Sequence, residues 1–462
     1  AIRRQRQMCI RDSDAPVAVS TSIRYIAGGI VGILNGSIEN CHTTGGGITI
    51  IGKDAYSIYV GGIVGMANDS AVVTVPMTNA ASIACTFDTC QAPIFGGVLG
   101  RAYCDVIGTE TDKFLNESGN ISLEIKSKAV KSSVNIGGVF GRTDKVLKYA
   151  ENKGNIFVRN NQEKENNCYV AGVIGLANAE VGYCTNFGTI DAYCAYTSVF
   201  GGVVSSSTKG PVHDCVNNGD VIVSAASKTK ATYVGGVLAY MNDAKNAGLI
   251  IKDCVNNGKV TVTGIDGFQL YVAGMVGYYN GASNQTLSTW NIDGCTNNGE
   301  VTLNTNQAER FSYVAGFIGN YKNSCGINNC VNNGVIYGYG GGRLRVGGIG
   351  GAVNYAVYNC VHKGVAKLGP DCDVATAGSE SQVGGIAGYY NAILSNCEVY
   401  GDVICETKGA FAGGLTGWVS TCKLTHTGGK MAGNVTAVDG AYVGIVLGGQ
   451  NKAAGTLGAH TI

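Results

Sequence analysis

Cysteine and histidine are the residue types in this 462-residue chain that could bind a metal or act in catalysis. The 18 cysteines include no Cys-x-x-Cys pair, and close pairs such as Cys85 with Cys90 and Cys325 with Cys330 lack the spacing of common zinc sites. The 5 histidines form no His-Glu-x-x-His motif, and the sequence has no P-loop and no Gly-x-Ser-x-Gly motif. We therefore predict no catalytic residue, no metal ligand and no cofactor.

Eight cysteines share one local pattern, in which a glycine follows four residues later, often as Cys-x-Asn-x-Gly. They are Cys41, Cys184, Cys215, Cys254, Cys295, Cys330, Cys360 and Cys397. In departing copies the same position holds Leu115 or Ala150, so we expect a buried position where the thiol acts as a small apolar group. Disulfides between adjacent turns and metal binding remain alternatives. His42 and His362 lie inside this pattern, where we expect them to face a turn.

Aromatic residues recur at matching positions just after a glycine-rich box. They are Tyr240, Tyr278, Tyr279, Tyr389, Tyr390 and Trp418. Stacked along one face, these rings would form a ledge for sugar rings or for a partner protein, because exposed rows of aromatic side chains usually have a role. The alternative is that the rings only cover a turn at the edge of the core. We predict these six residues as the ligand-binding site.

Charge and hydropathy exclude several classes of partner. The chain carries 33 Lys and Arg against 32 Asp and Glu, so it lacks the basic surface that nucleic acids or anionic membranes require. No apolar stretch reaches the roughly 18 residues of a membrane-spanning helix. Acidic residues are sparse and shift register between copies, so no pair of carboxylates is suited to acid and base catalysis on a polysaccharide.

The chain consists of an internal sequence repeat that is centred on a glycine pair. A Gly-Gly or Ala-Gly pair followed by an apolar residue recurs twelve times between Gly29 and Gly414, with a mean interval of 35 residues, and a frayed copy follows at 442–448. Intervals in this range indicate a solenoid or a propeller. Tyr-Val often precedes the pair, and Asn often follows it six residues later, which is typical of a strand that enters a turn. Glycines within such a strand predict the close approach of another backbone.

One 35-residue copy cannot bury enough apolar surface to offset its loss of conformational entropy, so the copies must stack. Each copy shows two firm strands and no helical periodicity, whereas a propeller blade would need about four strands. We therefore predict an all-β fold, a parallel β-helix (β-solenoid) of about 12 to 13 repeats. The copy between Gly62 and Gly97 lacks the cysteine pattern and carries two prolines, which suggests a local insertion.

Residues 1–13 differ in composition from everything that follows. They contain four arginines, and 8–13 resemble the translation of a sequencing adapter. We expect 1–13 to be a non-native leader and 14–462 to be a single β-solenoid domain, a fragment of a longer chain known from environmental DNA.

The glycine box repeated every 30 to 40 residues resembles the GLUG-type repeats of bacterial surface and adhesin-like proteins, over residues 25–448. The resemblance implies a secreted or cell-surface β-solenoid that serves adhesion or display and binds glycans or host or cell-surface proteins, without enzymatic activity. Two alternatives remain open, a polysaccharide lyase or glycoside hydrolase on a β-helix, and a passive stalk.

Overall fold

The structure is a computed structural model of the 462-residue chain. It describes residues 10–11, 17–18, 23–127, 133–163, 167–225, 227, 229–243, 251–264, 268–281, 290–307, 309–322, 325–374, 380–391, 393–420, 425–450 and 460–461. Most of the predicted leader, 1–13, lies outside these residues. The chain divides into unit 1, Ala1–Val223, and unit 2, Ser224–Ile462, and each unit is described by itself.

Each turn of the coil consists of five short segments, which we call a to e. In one turn of unit 1 they are Asn167–Ala171 (a), Ile174–Ala177 (b), Val181–Gly182 (c), Thr185–Asn186 (d) and Ile190–Cys194 (e). The glycine pair separates a from b, and the Asn-x-Gly turn separates d from e. Each segment pairs in parallel and in register with the same segment of the next turn, as Tyr169 does with Val199.

The strands of unit 1 follow this order with some merging of segments. The a strands are Ile23–Gly28, Ile94–Gly96, Val134–Gly137, Asn167–Ala171 and Thr197–Gly201; the b strands are Val31–Leu34, Val64–Ala67, Leu99–Ala102, Phe140–Thr143, Ile174–Ala177 and Val204–Ser207; the c strands are Val106–Ile107, Leu147–Lys148, Val181–Gly182 and Val212–His213; the d strands are Ile10–Arg11, Ser37–Thr43, Val72–Asn79, Phe114–Asn116, Ala150–Asn152, Thr185–Asn186 and Val216–Asn217; and the e strands are Val17–Ala18, Ser82–Gln91, Ile121–Ile125, Ile156–Asn160 and Ile190–Cys194. Gly47–Gly61 runs through both e and a, and Val221–Ala225 is an e strand that contains the boundary of the units.

Unit 2 repeats the same five segments. The a strands are Thr232–Gly235, Leu270–Ala273, Ser312–Ala315, Leu344–Gly347, Gln382–Gly384, Phe411–Gly413 and Tyr442–Gly444; the b strands are Leu238–Asp243, Val276–Gly281, Ile318–Lys322, Gly350–Val353, Ala387–Tyr390, Thr416–Val419 and Leu447–Gln450; the c strands are Ile251–Lys252, Ile292–Asp293, Gly326–Asn328, Ala356–Tyr358, Ile393–Ser395 and Thr425–Thr427; the d strands are Val255–Asn256, Thr296–Asn297, Val331–Asn332, Val361–His362, Glu398–Val399, Gly429–Met431 and His460–Thr461; and the e strands are Val260–Gly264, Val301–Thr305, Ile336–Tyr339, Ala366–Leu368, Val403–Cys405 and Val435–Ala437.

The predicted all-β parallel β-solenoid is confirmed. About 11 turns recur about 35 residues apart, and the described residues contain no helix. None of the described segments forms a helix that could span a lipid bilayer. Parallel pairing of every segment places equivalent residues of successive turns about 4.8 Å apart, the spacing of neighbouring strands in a sheet.

The core of each unit lies inside the coil. The apolar residue after the glycine pair is fully buried in most turns, as Val139, Val173, Phe317 and Ile349 show with 0% exposure. Along the e strands buried and exposed residues alternate, because successive side chains of a strand point to opposite faces. Each turn therefore closes a ring of apolar side chains and stacks it on the ring of the next turn.

The glycine pair is required because backbones approach closely at this corner. A Cβ atom on Gly138 would overlap the carbonyl oxygen of Gly172 and the side chain of Asn152. Gly172 meets Gly202 and Asn186 in the same way. The predicted close approach is confirmed, and its partner is the asparagine of the d segment, which lies across the interior from the glycine.

That asparagine belongs to a buried asparagine ladder, which we define as the column of d-segment residues that occupy the Asn position of Cys-x-Asn-x-Gly. Its asparagines in unit 1 are Asn79, Asn116, Asn152, Asn186 and Asn217, all with 0% exposure. From Asn79 to Asn186, Nδ2 of each asparagine donates to Oδ1 of the next one over 2.8 to 3.0 Å. Thr43 occupies the same position one turn earlier, and its hydroxyl donates to Oδ1 of Asn79 over 2.7 Å.

The ladder also closes the turn within each copy. Nδ2 of Asn152 donates to the carbonyl of Gly154 over 2.8 Å, and Oδ1 of Asn152 accepts from the Gly154 amide over 3.2 Å. Both amide hydrogens and the carbonyl oxygen are therefore occupied. A buried amide needs this because an unsatisfied polar group costs about 1 to 3 kcal/mol.

In unit 2 the ladder runs through Asn256, Asn297 and Asn332 and ends on His362. The two Asn to Asn bonds measure 2.8 and 2.7 Å, and Nδ2 of Asn332 donates to Nδ1 of His362 over 2.9 Å. Within the described residues Nε2 of His362 has no hydrogen-bond partner. From the sequence we expected His362 to face a turn, but its side chain is buried. His42 does make a turn contact, with Asn40.

The eight patterned cysteines are free and buried, next to the ladder in the d segment. Their thiols donate to the carbonyl oxygen of the residue two positions earlier, with sulfur-to-oxygen distances of 3.0 to 3.6 Å. The residue before the cysteine has a positive φ, for example 50° at Asp214 and 51° at Asn359, a conformation that Asn and Asp tolerate better than most residues. This left-handed residue turns the chain from c to d and directs the thiol inward.

Two sequence assignments at this position need correction. Phe114 pairs with Ala150 and fills the cysteine position, whereas Leu115, which we assigned there, is only half-buried. In the copy between Gly62 and Gly97, Met77 takes the cysteine position and Asn79 the ladder position. The predicted insertion is one extra residue of this d segment, because the pairing with Ser37–Thr43 shifts by one residue before Met77. The apolar Leu115 beside Phe114 hid the first alignment, and the missing cysteine hid the second.

Asn297 and Asn298 offer a matched test of the ladder, because they are adjacent and differ in burial. Asn297→Ala removes one buried hydrogen bond from Asn256 and one from Asn332, and we expect it to lower the free energy of unfolding by about 2 to 4 kcal/mol. Asn298→Ala removes exposed amide bonds to Asn257 and Asn333, and we expect a change within about 0.5 kcal/mol. Urea unfolding followed by circular dichroism measures both; similar losses would contradict the ladder.

His362 predicts a pH dependence of stability. Burial lowers the pKa of His362 to about 4 from the ordinary value of 6.5, so below pH 6.5 the unfolded chain binds a proton that the native chain does not. The free energy of unfolding should therefore fall as pH drops from 6.5 to 4, by up to about 3 kcal/mol.

The variant His362→Asn restores an amide at the ladder position and removes this titration. We expect its stability relative to the native sequence to grow between pH 7 and pH 5, as measured by urea unfolding at each pH. A constant difference between the two proteins across that range would show that His362 is not held neutral in the ladder.

Candidate functional site

The rings predicted as a ledge lie on the outer face of unit 2, where segments a and b meet at the glycine pair. Strand alternation turns the second residue of the a segment and the third residue of the b segment outward. We define the aromatic ledge by the aromatic and charged members of these two register columns: Tyr233, Tyr271, Tyr313, Arg345 and Phe411 from segment a, and Tyr240, Tyr278, Tyr389 and Trp418 from segment b. Gln382 lies between Arg345 and Phe411 in the a column, and Asn320 and Ala352 lie between Tyr278 and Tyr389 in the b column.

Parallel register stacks the tyrosines of successive turns. In the a column the ring centroids of Tyr233 and Tyr271, and of Tyr271 and Tyr313, are 5.2 Å apart with planes within 8° and 4° of parallel. In the b column Tyr240 and Tyr278 are 5.9 Å apart at 5°. The stacking follows from the pairing of like residues, since in-register strands place identical side chains side by side.

The two columns also contact each other. The ring of Tyr278 lies 4.8 Å from that of Tyr271 and 5.4 Å from that of Tyr233. Tyr271 and Tyr313 are buried under their neighbours, at 9% and 6% exposure, whereas Tyr240 and Tyr278 remain partly exposed. The b column therefore presents ring faces and edges to solvent, and the a column supports it from behind.

The structure brings four of the six predicted site residues to this surface. Tyr389 and Trp418 pair across adjacent strands, in the same column as Tyr240 and Tyr278. Tyr279 and Tyr390 directly follow Tyr278 and Tyr389 in the chain, and their side chains point into the interior with 0% exposure. Because a ligand at the surface cannot contact them, we leave Tyr279 and Tyr390 out of the ledge; they are core residues.

Beyond Tyr313 the ledge contains a positive charge that the sequence reasoning missed. Arg345 takes the a-column position, and its guanidinium carbon lies 3.8 Å from the ring centroid of Tyr389 and 3.9 Å from that of Phe311. Ala352, with a small side chain, occupies the b column beside it. Further along, Phe411 contacts Trp418 with centroids 4.6 Å apart. The sequence did contain a signal for Arg345, because this arginine occupies the position of Tyr271 and Tyr313 in the next copy of the repeat.

Burial sets the electrostatics of the ledge. It raises the pKa of Tyr278 to about 12, with the neighbouring hydroxyls of Tyr240 and Tyr313 adding to the shift, and it raises the pKa of Tyr240 as well. The hydroxyls therefore stay neutral and keep their protons across the physiological range. Neutral hydroxyls with adjacent ring faces can stack against an apolar face and donate hydrogen bonds at its edge.

A second polar cluster lies in unit 1, around His213. Nδ1 of His213 contacts Asp214 over 2.7 Å, and Nε2 contacts Glu180 over 2.8 Å. Glu180 also pairs with Lys148 over 2.7 Å. Burial lowers the pKa of His213, but the two carboxylates raise it by more, so the net shift is upward. Since both ring nitrogens are engaged by carboxylates, the cluster is best described as an ion-pair chain that connects three turns.

The cysteines and histidines form no metal site in the part of the chain that the structure describes. Cys168 and Cys194 form a disulfide. Burial raises the pKa of the patterned thiols Cys184, Cys330 and Cys397 well above its usual value. At Cys295 and Cys360 burial is outweighed by hydrogen bonds from neighbouring thiols, which lower the pKa. A thiol held in its protonated form is a poor nucleophile and a poor metal ligand. All eight patterned cysteines are buried and bonded to backbone carbonyls, so we describe them as packing residues.

Comparison with known proteins identifies no relative. No family model matches the chain, and neither the curated proteins nor the solved structures contain a match.

Proposed function

We propose that this chain is a non-catalytic repeat protein of the cell surface or extracellular medium, which binds glycans through the aromatic ledge. One observation carries the proposal: the partly exposed rings of Tyr240, Tyr278, Tyr389 and Trp418 lie in one register column. They form two pairs separated by Asn320 and Ala352, and buried Tyr271 supports the first pair. A rigid, partly apolar column with hydroxyl edges suits the faces of sugar rings, which present C–H groups flanked by hydroxyls.

The GLUG-type resemblance supports the location and the role in adhesion or display. The Cys168–Cys194 disulfide is compatible with an oxidising environment outside the cytosol. A coil of stacked turns also suits display, because each added turn extends the molecule without a new fold. We propose a bacterial origin on the same resemblance.

The variant that tests this function is Tyr278→Ala combined with Tyr389→Ala. Each removed ring contact is worth about 0.5 to 1.5 kcal/mol, so we expect the double variant to bind its glycans about tenfold to a hundredfold more weakly. A glycan array identifies the ligands of the full chain, and surface plasmon resonance measures affinity. Tyr183→Ala is the matched control, because Tyr183 is 41% exposed and stacked on Tyr149 but lies in unit 1, outside the ledge.

Three outcomes would contradict the proposal. Unchanged affinity in a folded double variant would exclude the ledge as the binding surface. Release of new reducing ends from a polysaccharide panel would favour a lyase or glycoside hydrolase. Failure to bind any glycan on the array would leave a protein ligand or a passive stalk as the function.

A further inference from the structure

Arg345 is a cation held between aromatic rings at the centre of the ledge. Tyr389 lies on one side and Phe311 on the other, with 3.8 and 3.9 Å from the guanidinium carbon to the ring centroids. The ring centroid of Tyr313 is 5.7 Å away. Arg345 as a whole residue is partly exposed. The rings fix its position and exclude water from its faces.

The charge of Arg345 has no carboxylate partner. It forms no ion pair with any described Asp or Glu, and its Nε, like that of Arg101, is buried without a hydrogen-bond acceptor. The nearby Arg343 instead pairs with Asp373 over 3.4 Å. Burial lowers the pKa of Arg345, and the charge of Arg343 acts in the same direction, although the hydroxyls of Tyr313 and Tyr389 oppose both effects. A partly desolvated cation without a counter-ion is costly unless an anion binds there.

Unit 1 contains an arginine in a similar aromatic environment, Arg101, whose charge is balanced by a carboxylate of the chain itself. Arg101 lies over the ring of Tyr103, with its guanidinium carbon 4.2 Å from the centroid, and its side chain is 15% exposed. Asp144 pairs with Arg101 over 3.2 Å and with Arg142 over 3.1 Å. The aromatic environment of Arg345 is similar, and what it lacks is this carboxylate.

We propose that Arg345 binds the carboxylate of an acidic polysaccharide, a polymer of uronic acids, whose sugar rings lie along Tyr278 and Tyr389. This inference rests on the proposed function and names the class of glycan. A guanidinium group binds a carboxylate through two parallel hydrogen bonds, which a neutral sugar cannot provide. The b column favours a glycan over an acidic peptide, because it offers ring faces on both sides of Asn320 and Ala352 and no free strand edge for a peptide backbone.

Polygalacturonate and fully methyl-esterified pectin form a matched pair of probes, since esterification removes the charge and keeps the backbone. Alginate and hyaluronan extend the test to other linkages. We expect the full chain to bind at least one of the acidic polymers. If it binds polygalacturonate, we expect that affinity to be at least tenfold higher than the affinity for the methyl ester. The variant Arg345→Met should weaken acidic binding about tenfold to a hundredfold, as isothermal titration measures it.

Arg101→Met is the control, because it removes a similarly placed arginine that already has a partner; it should leave the affinity unchanged. Equal thermal midpoints of the Arg345→Met variant and the native chain show that the coil is intact. A salt titration should weaken the native complex and have little effect on the variant, because the ion pair is screened.

Four results would overturn the assignment of Arg345: equal affinity for polygalacturonate and its ester, acidic binding unchanged in Arg345→Met, no binding of any acidic polymer, or equal binding of poly-L-glutamate. The proposed function fails separately. If neutral glycans bind and depend on Tyr278 and Tyr389 but not on Arg345, the ledge binds sugars and the acidic class is wrong. If no glycan binds at all, both proposals fail.

Discussion

The buried asparagine ladder is the constraint on which each unit depends. A polar amide inside an apolar coil is tolerated only when every donor and acceptor is occupied, and the ladder meets this condition solely when the turns are in register. A slip of one residue would place Asn152 outside and break its buried hydrogen bonds with Asn116 and Asn186. Apolar stacking drives the turns together, and the ladder specifies how they align.

The ladder also explains the glycine pair and the corner residues. Gly138 and Gly172 lie against ladder amides where a side chain would not fit, so the a and b strands can meet at a sharp corner. On the outer side of that corner the a and b columns converge, which brings Tyr271 and Tyr278 into contact. The geometry of the aromatic ledge is therefore a consequence of packing on the opposite side of the same backbone.

Composition and repeat spacing predicted the fold class because stacking follows from physics that each copy shares. The same information predicted Tyr240, Tyr278, Tyr389 and Trp418 as surface rings, and these are partly exposed. It could not separate Tyr278 from Tyr279, since adjacent residues of a strand face opposite sides and the register was unknown. The structure resolves that choice, because Tyr278 is partly exposed and Tyr279 is buried.

Other features required contacts between turns that no local pattern records. Asn79 and Asn116 lie 37 residues apart, and their bond depends on how many residues each loop holds. Arg345 stands out only when it is placed in the column of Tyr271 and Tyr313, and its missing counter-ion is visible only in three dimensions. His362 looked like a turn residue because it replaces an asparagine whose role was itself hidden.

The register of the ladder can be measured directly by hydrogen exchange of asparagine side-chain amides, observed by NMR on the native chain. The Nδ2 protons of Asn116, Asn152 and Asn186 should exchange as slowly as the backbone amides of the adjoining strands, since opening them requires separation of the turns. The exposed amides of Asn257 and Asn298 should exchange quickly. Equal, rapid exchange in both groups would show that the asparagines are not buried in register, and the account of the coil would be wrong.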